Sequence, residues 1–260
     1  MTAVSVTQAA PFLRPDGFVR PPLAALLREA SVVGESLRYA VAAGRPPQHA
    51  GRSRHPAPVV LVPGFFAGDL TLAALARTLR HAGYRTYRSG IGLNVGCTLD
   101  AVAQLEQRLE GVVQRRGGPA YLVGHSLGGM LARGLAVRRP DLVAGLVTLG
   151  SPMLAPGAHH LSLAAGVDLL VRLSRAGMPG LMAEECVAGD CARESFDSSR
   201  VPLAAGLPFT AVYSRRDGVV DWRACLDPQA QAVEVGASHV GMAVDPSVHR
   251  AVLRALRAAP

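Results

Sequence analysis

One serine in the chain has neighbours that are typical of a nucleophile on a sharp turn. Ser126 lies at the centre of residues 124–128 (Gly-His-Ser-Leu-Gly), after strand-like residues 121–123 and before a helix-like stretch that begins at Met130. A strand-to-helix turn of this kind holds the serine in a strained backbone conformation and projects its hydroxyl above the edge of the sheet. The two glycines leave room for the adjacent strand and helix. We therefore predict that Ser126 is a nucleophile.

A serine hydroxyl needs a base that accepts its proton and an acid that orients the base. His239 stands among small residues after strand-like residues 232–235, so we predict that it is the base. Asp217 follows strand-like residues 209–213, and Gly218 permits a tight turn there, so we predict that it is the acid. Asp221, four residues further on, is the alternative acid, although it could instead cap a short helix.

Negative charge that develops on an attacked carbonyl requires backbone N–H donors. The N–H of Leu127 lies at the predicted start of a helix, and the loop of residues 63–68 (Pro-Gly-Phe-Phe-Ala-Gly) could supply a second donor, for which we choose Phe65. We assign Phe66 and His125, which adjoin these donors, to substrate binding, with an ordinary core position as the alternative for Phe66.

Strand-like and helix-like segments alternate through most of residues 58–260, which we take as one domain. This alternation predicts a mostly parallel sheet with helices on both faces. It breaks at about residues 153–207, where a long insertion with a helical patch predicts a helical lid or cap. The predicted strands are residues 59–62, 84–89, 121–123, 142–149, 209–213 and 232–235, and the predicted helices are residues 70–81, 98–116, 130–139, 160–173 and 246–258.

The N-terminal segment, residues 1–57, precedes this domain and has a different composition. Residues 21–43 have the spacing of an amphipathic helix, with one apolar stripe that includes Leu23, Leu27 and Leu37. We predict that this stripe docks on the domain, and contact with a membrane surface is the alternative. A linker rich in proline, arginine and histidine follows, at residues 44–58.

Composition excludes several classes of protein. The formal charge is +8 and all 27 basic residues are arginine, but they are scattered without interleaved aromatics, so we expect no nucleic-acid partner. Four irregularly spaced cysteines do not form a disulfide scaffold, and whether Cys186 and Cys191 bridge is left open. No histidine stands at ligand spacing beside them, so we expect no metal site. Neither a signal peptide nor a membrane span is recognisable, so a cytoplasmic location is expected.

Four motifs together resemble the α/β-hydrolase superfamily, and within it the bacterial lipases and esterases, over about residues 58–258. They are Val-Pro-Gly-Phe-Phe after the first strand, Gly-His-Ser-Leu-Gly-Gly, Ser-Arg-Arg-Asp-Gly-Val-Val and Ser-His-Val-Gly-Met. The order Ser126, Asp217, His239 is the order in that fold. The lid of the family matches the insertion at residues 153–207. Pro63 stands where such lipases usually have histidine, so the hydrogen bond of that side chain is not expected here, whereas the loop keeps its backbone N–H.

This resemblance implies a serine hydrolase that cleaves carboxylic esters with hydrophobic acyl chains and needs no cofactor. The expected partner is a small, lipid-like ester. Acyl transfer or thioester hydrolysis on the same three residues is the alternative within enzymes, and a non-catalytic binding protein is the alternative outside them. The acyl length, the alcohol and the oligomeric state are left open.

Overall fold

A computed structural model describes residues 10–43 and 57–258, and within them the chain forms one parallel sheet. The strand order is β2-β1-β3-β4-β5-β6, with every neighbouring pair parallel. The central strands consist of apolar runs buried on both faces, as crossover helices on each side require. The mostly parallel sheet is therefore confirmed. The strands are β1 (Val59–Val62), β2 (Thr86–Arg88), β3 (Ala120–His125), β4 (Val143–Leu149), β5 (Phe209–Tyr213) and β6 (Gln231–Glu234).

Helices cover both faces of this sheet and form a separate apolar layer on each. On one face, α3 and α4 contribute Leu105, Leu109 and Leu135 to a core that includes Leu122 of β3. On the other face, α2 and α7 pack their leucines and valines against Tyr121 and its neighbours. The helices are α1 (Val32–Ala43), α2 (Ala73–His81), α3 (Thr98–Arg116), α4 (Leu127–Arg138), α5 (Leu161–Arg175), α6 (Asp190–Arg200) and α7 (Pro246–Ala258).

The insertion between β4 and β5 carries α5 and α6, joined through a short 3₁₀ turn at Glu184–Cys186. Helix α5 corresponds to the predicted helical patch, whereas α6 was not predicted. A buried arginine fixes the end of the insertion to the core. Arg133 of α4 donates to Asp227 at 2.6 Å, and its guanidinium also donates to the carbonyls of Ser199 and Val201. Two faces of the insertion differ, because Val167 and Leu170 are buried while Leu161 and Leu169 are exposed.

The N-terminal segment packs on the domain, but through the opposite face from the one predicted. Its described part has a 3₁₀ turn at Pro11–Leu13 and then a 3₁₀ helix at Leu23–Ser31 that continues as α1. The leucine stripe points outward, with Leu23, Leu27 and Leu37 each at least 64% exposed, so its predicted docking was wrong. The predicted linker lies almost wholly at residues 44–56, outside the described residues. No helix in residues 10–43 or 57–258 has the length and apolar character that crossing a membrane requires.

Candidate active site

Ser126 occupies the turn between β3 and α4 in a conformation that few residues other than glycine adopt. Its φ is 52°, and its backbone N–H donates to the carbonyl of Leu149 at 2.8 Å. The turn is tight enough that side chains beside it would collide. A Cβ on Gly128 would lie 2.3 Å from the carbonyl oxygen of Val62, and a Cβ on Gly124 would lie 2.4 Å from that of Gly128. The turn therefore stores strain at the serine, as the motif predicts.

His239 and Asp217 form a buried pair beside this turn. Nδ1 of His239 lies 2.6 Å from Oδ2 of Asp217, and both side chains are at most 5% exposed. The other oxygen of Asp217 accepts from the N–H groups of Val219 and Val220, at 2.8 Å each. The carboxylate is thus held from both sides, and it keeps the imidazole proton on Nδ1 and leaves Nε2 as an acceptor.

Asp221, the alternative acid, has a different set of partners. Its side chain accepts from the N–H of Arg223 and caps the 3₁₀ turn Trp222–Cys225. Its second oxygen accepts from the N–H of Val19 at 3.0 Å. The structure therefore places Asp217, and not Asp221, against the ring of His239.

The Ser126 turn and the His239–Asp217 pair both lie beside the end of β4. Leu149, which accepts the N–H of Ser126, is followed by Gly150. A Cβ on Gly150 would lie 3.1 Å from Nδ1 of His239 and 3.4 Å from Oδ2 of Asp217. The ring of His125, which precedes the serine, lies 5.0 Å from the ring of His239 between centroids. The three residues predicted from the sequence are therefore brought to one edge of the sheet.

Burial and charge act in opposite directions on the pKa of His239. Desolvation alone would lower this pKa, but the charge of Asp217, its hydrogen bond and the charge of Glu29 outweigh it and raise the pKa above its usual value. The pKa of His125 moves the other way, to about 4, because the ring is buried and lies beside His239. His125 is therefore neutral at physiological pH.

The two residues assigned to substrate binding, His125 and Phe66, do not line the apolar cavity that opens beside Ser126. Nε2 of His125 lies 2.9 Å from the carbonyl oxygen of His239, so this ring supports the loop that carries His239. Phe66 is 45% exposed and packs against the ring of Phe65, with centroids 4.3 Å apart. Phe65 lines the cavity in its place. Adjacent residues of a turn point to different sides, so neither His125 nor Phe66 faces this cavity, and their role in substrate binding stays a prediction.

The loop after β1 brings a second backbone donor towards the serine. A Cβ on Gly64 would lie 3.1 Å from Cβ of Ser126, so the loop passes close to the nucleophile. The N–H of Phe66 is bonded to the carbonyl of Asn94 and that of Ala67 to the carbonyl of Gly64, so neither is free to bind an oxyanion. Phe65 stays the candidate donor on this loop. Leu127 is the first residue of α4, where an N–H has no acceptor within the helix.

Asn94 is a buried residue of this site that the sequence did not single out. Its side-chain amide donates to the carbonyl of Pro63 at 3.0 Å, and its own N–H donates to the carbonyl of Ala67 at 2.8 Å. The loop that Pro63 opens is therefore fixed by hydrogen bonds from the β2–α3 connection.

An apolar cavity of about 150 Å³ opens beside Ser126, between the sheet edge and the insertion. This volume is well below the roughly 300–1,000 Å³ that encloses a drug-sized ligand, so it suits one chain of a substrate and leaves the remainder outside. Its lining includes Phe65, Leu127, Leu163, Val167, Met182 and Phe196.

Two glutamates of the N-terminal segment hold the loops that carry the acid and the base. Glu29 accepts from the N–H groups of Gly218 at 2.9 Å, His239 at 3.1 Å and Val240 at 2.9 Å. Glu35, 1% exposed, accepts from the N–H and the hydroxyl of Ser238. These contacts join residues about 200 positions apart, and no local spacing in the sequence indicates them.

One group of side chains among the described residues could hold a metal ion. The sulfur atoms of Cys97, Cys186 and Cys191 lie within 4.8 Å of one another. All three are free thiols, so Cys186 and Cys191 do not bridge. Sequence spacing missed this group because Cys97 lies about 90 residues before the other two.

Comparison with known proteins agrees with the architecture. Residues 59–259 match the model of the alpha/beta hydrolase family, whereas no curated protein matches the chain. The fold is similar to that of the mature lipase BlEst2 from Bacillus licheniformis, with a TM-score of 0.62, 17% identity and coverage of 82% of this chain and 96% of that chain.

Two other solved structures are similar over most of their length. For the monoacylglycerol lipase of Paleococcus ferrophilus the TM-score is 0.52 at 19% identity, with 80% of this chain and 98% of that chain covered. For the thioesterase domain from the curacin biosynthetic pathway the TM-score is 0.51 at 17% identity, with 79% of this chain and 92% of that chain covered. At such identities these likenesses show the fold. Since the family model matches more than half of its length, the chain belongs to the alpha/beta hydrolase family.

Proposed function

We propose that this protein is a serine hydrolase that cleaves carboxylic esters with hydrophobic acyl chains through an acyl-enzyme intermediate. One observation carries the proposal. A serine on a strained turn opens onto an apolar cavity, and a buried histidine–aspartate pair at 2.6 Å lies at the same edge of the sheet. This is the arrangement that a serine nucleophile requires.

In the proposed reaction, Ser126 attacks the ester carbonyl while Nε2 of His239 accepts the serine proton. Asp217 keeps the imidazole in this tautomer and stabilises the imidazolium that forms. The N–H groups of Phe65 and Leu127 donate to the oxyanion. His239 then gives its proton to the leaving alcohol, and it activates the water that releases the acid from the enzyme.

The substrate class follows from the cavity. Leu163, Val167 and Phe65 present an apolar surface next to the serine, which stabilises an acyl chain by about 0.8 kcal/mol for each buried methylene. The fold likeness to a lipase and to a monoacylglycerol lipase supports the same choice. The proposed partner is therefore a small lipid-like ester, with the insertion serving as a lid over the serine.

A fluorophosphonate probe tests the proposal because it reacts much faster with an activated serine than with an ordinary one. We expect labelling of the wild-type protein and its loss in Ser126→Ala, together with a fall in kcat of roughly 10⁴–10⁶ on p-nitrophenyl esters. Ser195→Ala is the matched control, since Ser195 lines the same cavity. Near-normal ester hydrolysis by Ser126→Ala would overturn the proposal, and absence of labelling in the wild type would favour a non-catalytic binding protein.

Thioester hydrolysis or acyl transfer is the second candidate, and the likeness to the curacin thioesterase domain favours it. The same three residues would form the same acyl-enzyme, and only the leaving group or the acceptor would differ. A comparison of kcat/KM on matched oxoesters and thioesters, with product analysis in the presence of an added alcohol, separates these reactions.

A further inference from the structure

Three thiols from separate parts of the chain meet at the wall of the cavity. Cys97 directly precedes α3 of the core, Cys186 ends the 3₁₀ turn of the insertion, and Cys191 lies in the first turn of α6. Their sulfur atoms all lie within 4.8 Å of one another, and Cys186 lines the cavity that Ser126 opens onto. The cluster therefore lies where the insertion meets the core.

The distances match a shared ion better than a disulfide. The sulfur atoms of Cys97 and Cys191 are 3.2 Å apart, far beyond the roughly 2.0 Å of an S–S bond. Zinc–sulfur bonds of about 2.3 Å place two tetrahedral ligand atoms about 3.8 Å apart. All three sulfur atoms already lie within 4.8 Å of one another.

We infer that Cys97, Cys186 and Cys191 form a binding site for a thiophilic metal ion, for which Zn²⁺ is the ion to test. Soft thiolate ligands select Zn²⁺ or Cu⁺ over Mg²⁺ and Ca²⁺. Three protein ligands leave one position of a tetrahedral zinc ion open to water. Each ligand exchanges its S–H proton for an S–Zn bond, so binding releases protons and weakens as the pH falls.

A metal ion at this cluster would fasten the insertion to the core at two points. Cys186 and Cys191 both belong to the insertion, whereas Cys97 belongs to the connection between β2 and α3. Since Cys186 and its neighbour Val187 line the cavity, the ion would fix that wall of the substrate site. This inference does not depend on the proposed hydrolase activity.

The test is to titrate the fully reduced, full-length protein with Zn²⁺. Binding is measured by calorimetry and by the rise in Tm. We expect one equivalent to bind with proton release, and Cd²⁺ to give a sulfur-to-metal charge-transfer absorption. Cys97→Ser, Cys186→Ser and Cys191→Ser should each weaken binding on the order of 100-fold or more, since even outer-shell partners of a metal are worth 10–100-fold.

Cys225→Ala is the matched control, because Cys225 is buried away from the cluster in the turn Trp222–Cys225 and should leave Zn²⁺ affinity unchanged. A Cu⁺ titration with a chelator competitor shows whether Cu⁺ is preferred. The site is supported if the wild type binds one equivalent of either ion and the three serine variants do not. If the reduced protein binds neither ion, or if binding survives in all three serine variants, the inference is overturned. If one variant folds poorly, an independent check is whether Zn²⁺ protects the three thiols of the wild-type protein from an alkylating reagent.

Discussion

Two carboxylates lie four residues apart on the loop after β5, and their contacts separate their roles. Asp217 bonds to the ring of His239, whereas Asp221 caps a 3₁₀ turn. We expect Asp217→Asn to lower kcat on the order of 10⁴-fold, as the same change does in a serine-protease triad, because the imidazole takes the wrong tautomer. Asp221→Asn should leave kcat nearly unchanged, because asparagine caps a turn about as well as aspartate does. It should cost about 1 kcal/mol of unfolding free energy, because the amide loses the charge and one of the acceptor oxygens that Val19 and Arg223 bond to.

Ester hydrolysis rates and urea unfolding of the two variants check this difference. The variants are matched, since each replaces one buried aspartate of the same loop by its amide. A larger loss of kcat in Asp221→Asn than in Asp217→Asn would move the acid to Asp221.

The raised pKa of His239 predicts the pH dependence of the reaction. The base must be neutral to accept the serine proton, and a raised pKa keeps it protonated to a higher pH than usual. We therefore expect kcat/KM to rise with pH through a limb above about 6.5, the ordinary value of histidine. His125, with a pKa of about 4, does not titrate in this range.

The pH–rate profile of kcat/KM on an acetate ester measures this limb, with a substrate whose own ionisation lies outside the range. Residual activity of Asp217→Asn should show the limb at lower pH, since burial then acts on the ring without the opposing charge. A limb at or below pH 6.5 in the wild type would contradict the assignment of His239 as the base.

At the scale of elements, the N-terminal segment acts on the loops of the site through Glu29. This carboxylate accepts three backbone N–H groups on both loops, and its charge also raises the pKa of His239. We expect Glu29→Gln to lower kcat about tenfold, because hydrogen bonds to a charged group are worth about 1.5–3 kcal/mol. The limb over which kcat/KM rises with pH, here called the acid limb, should also move to lower pH.

Glu35→Gln is the matched control for this prediction. Glu35 lies on the same segment and accepts from Ser238 beside the base, but among the described residues no hydrogen bond joins it to His239. It should lower stability without moving the acid limb. Superimposable pH profiles for wild type and Glu29→Gln would show that Glu29 has only a structural role.

Local patterns in the sequence predicted several elements within one residue. The bounds of β1, α3, β5 and α7 agree with the segments read from apolar runs, caps and breakers. The α4 helix begins at Leu127, before the predicted Met130, because the Ser126 turn leads directly into it. Helix α6 was missed because its sequence is mostly polar and only part of one face is buried.

The site could be predicted as far as its residues depend on turn chemistry. The glycines around Ser126 and the small residues around His239 are local signals, and the structure brings both residues to the same edge. Contacts over long sequence separations gave no such signal. The leucine stripe of the N-terminal segment was expected to be buried, but Glu29 and Glu35 face inward because unpaired backbone N–H groups of two loops need acceptors.

At the scale of the whole molecule, the insertion and the sheet together enclose the cavity, so the length of the acyl chain should depend on α5. One face of this helix places Leu163 and Val167 in the cavity wall, and the other exposes Leu161 and Leu169. We expect the double variant Leu163→Ser/Val167→Ser to lose contact with about four methylenes of a long chain. At about 0.8 kcal/mol each, this amounts to roughly 3 kcal/mol, or about a hundredfold in kcat/KM.

An acetate ester does not reach this wall and should react with nearly unchanged kcat/KM, which also shows that the variant is folded. The measurement is the ratio of kcat/KM for decanoate and acetate esters. Leu161→Ser/Leu169→Ser is the matched control, because it makes the same kind of change on the exposed face of the same helix. Its ratio should equal that of the wild type. Equal losses on both esters in the cavity-facing variant would mean that α5 supports the fold without selecting the chain, and the proposed lid would have to be abandoned.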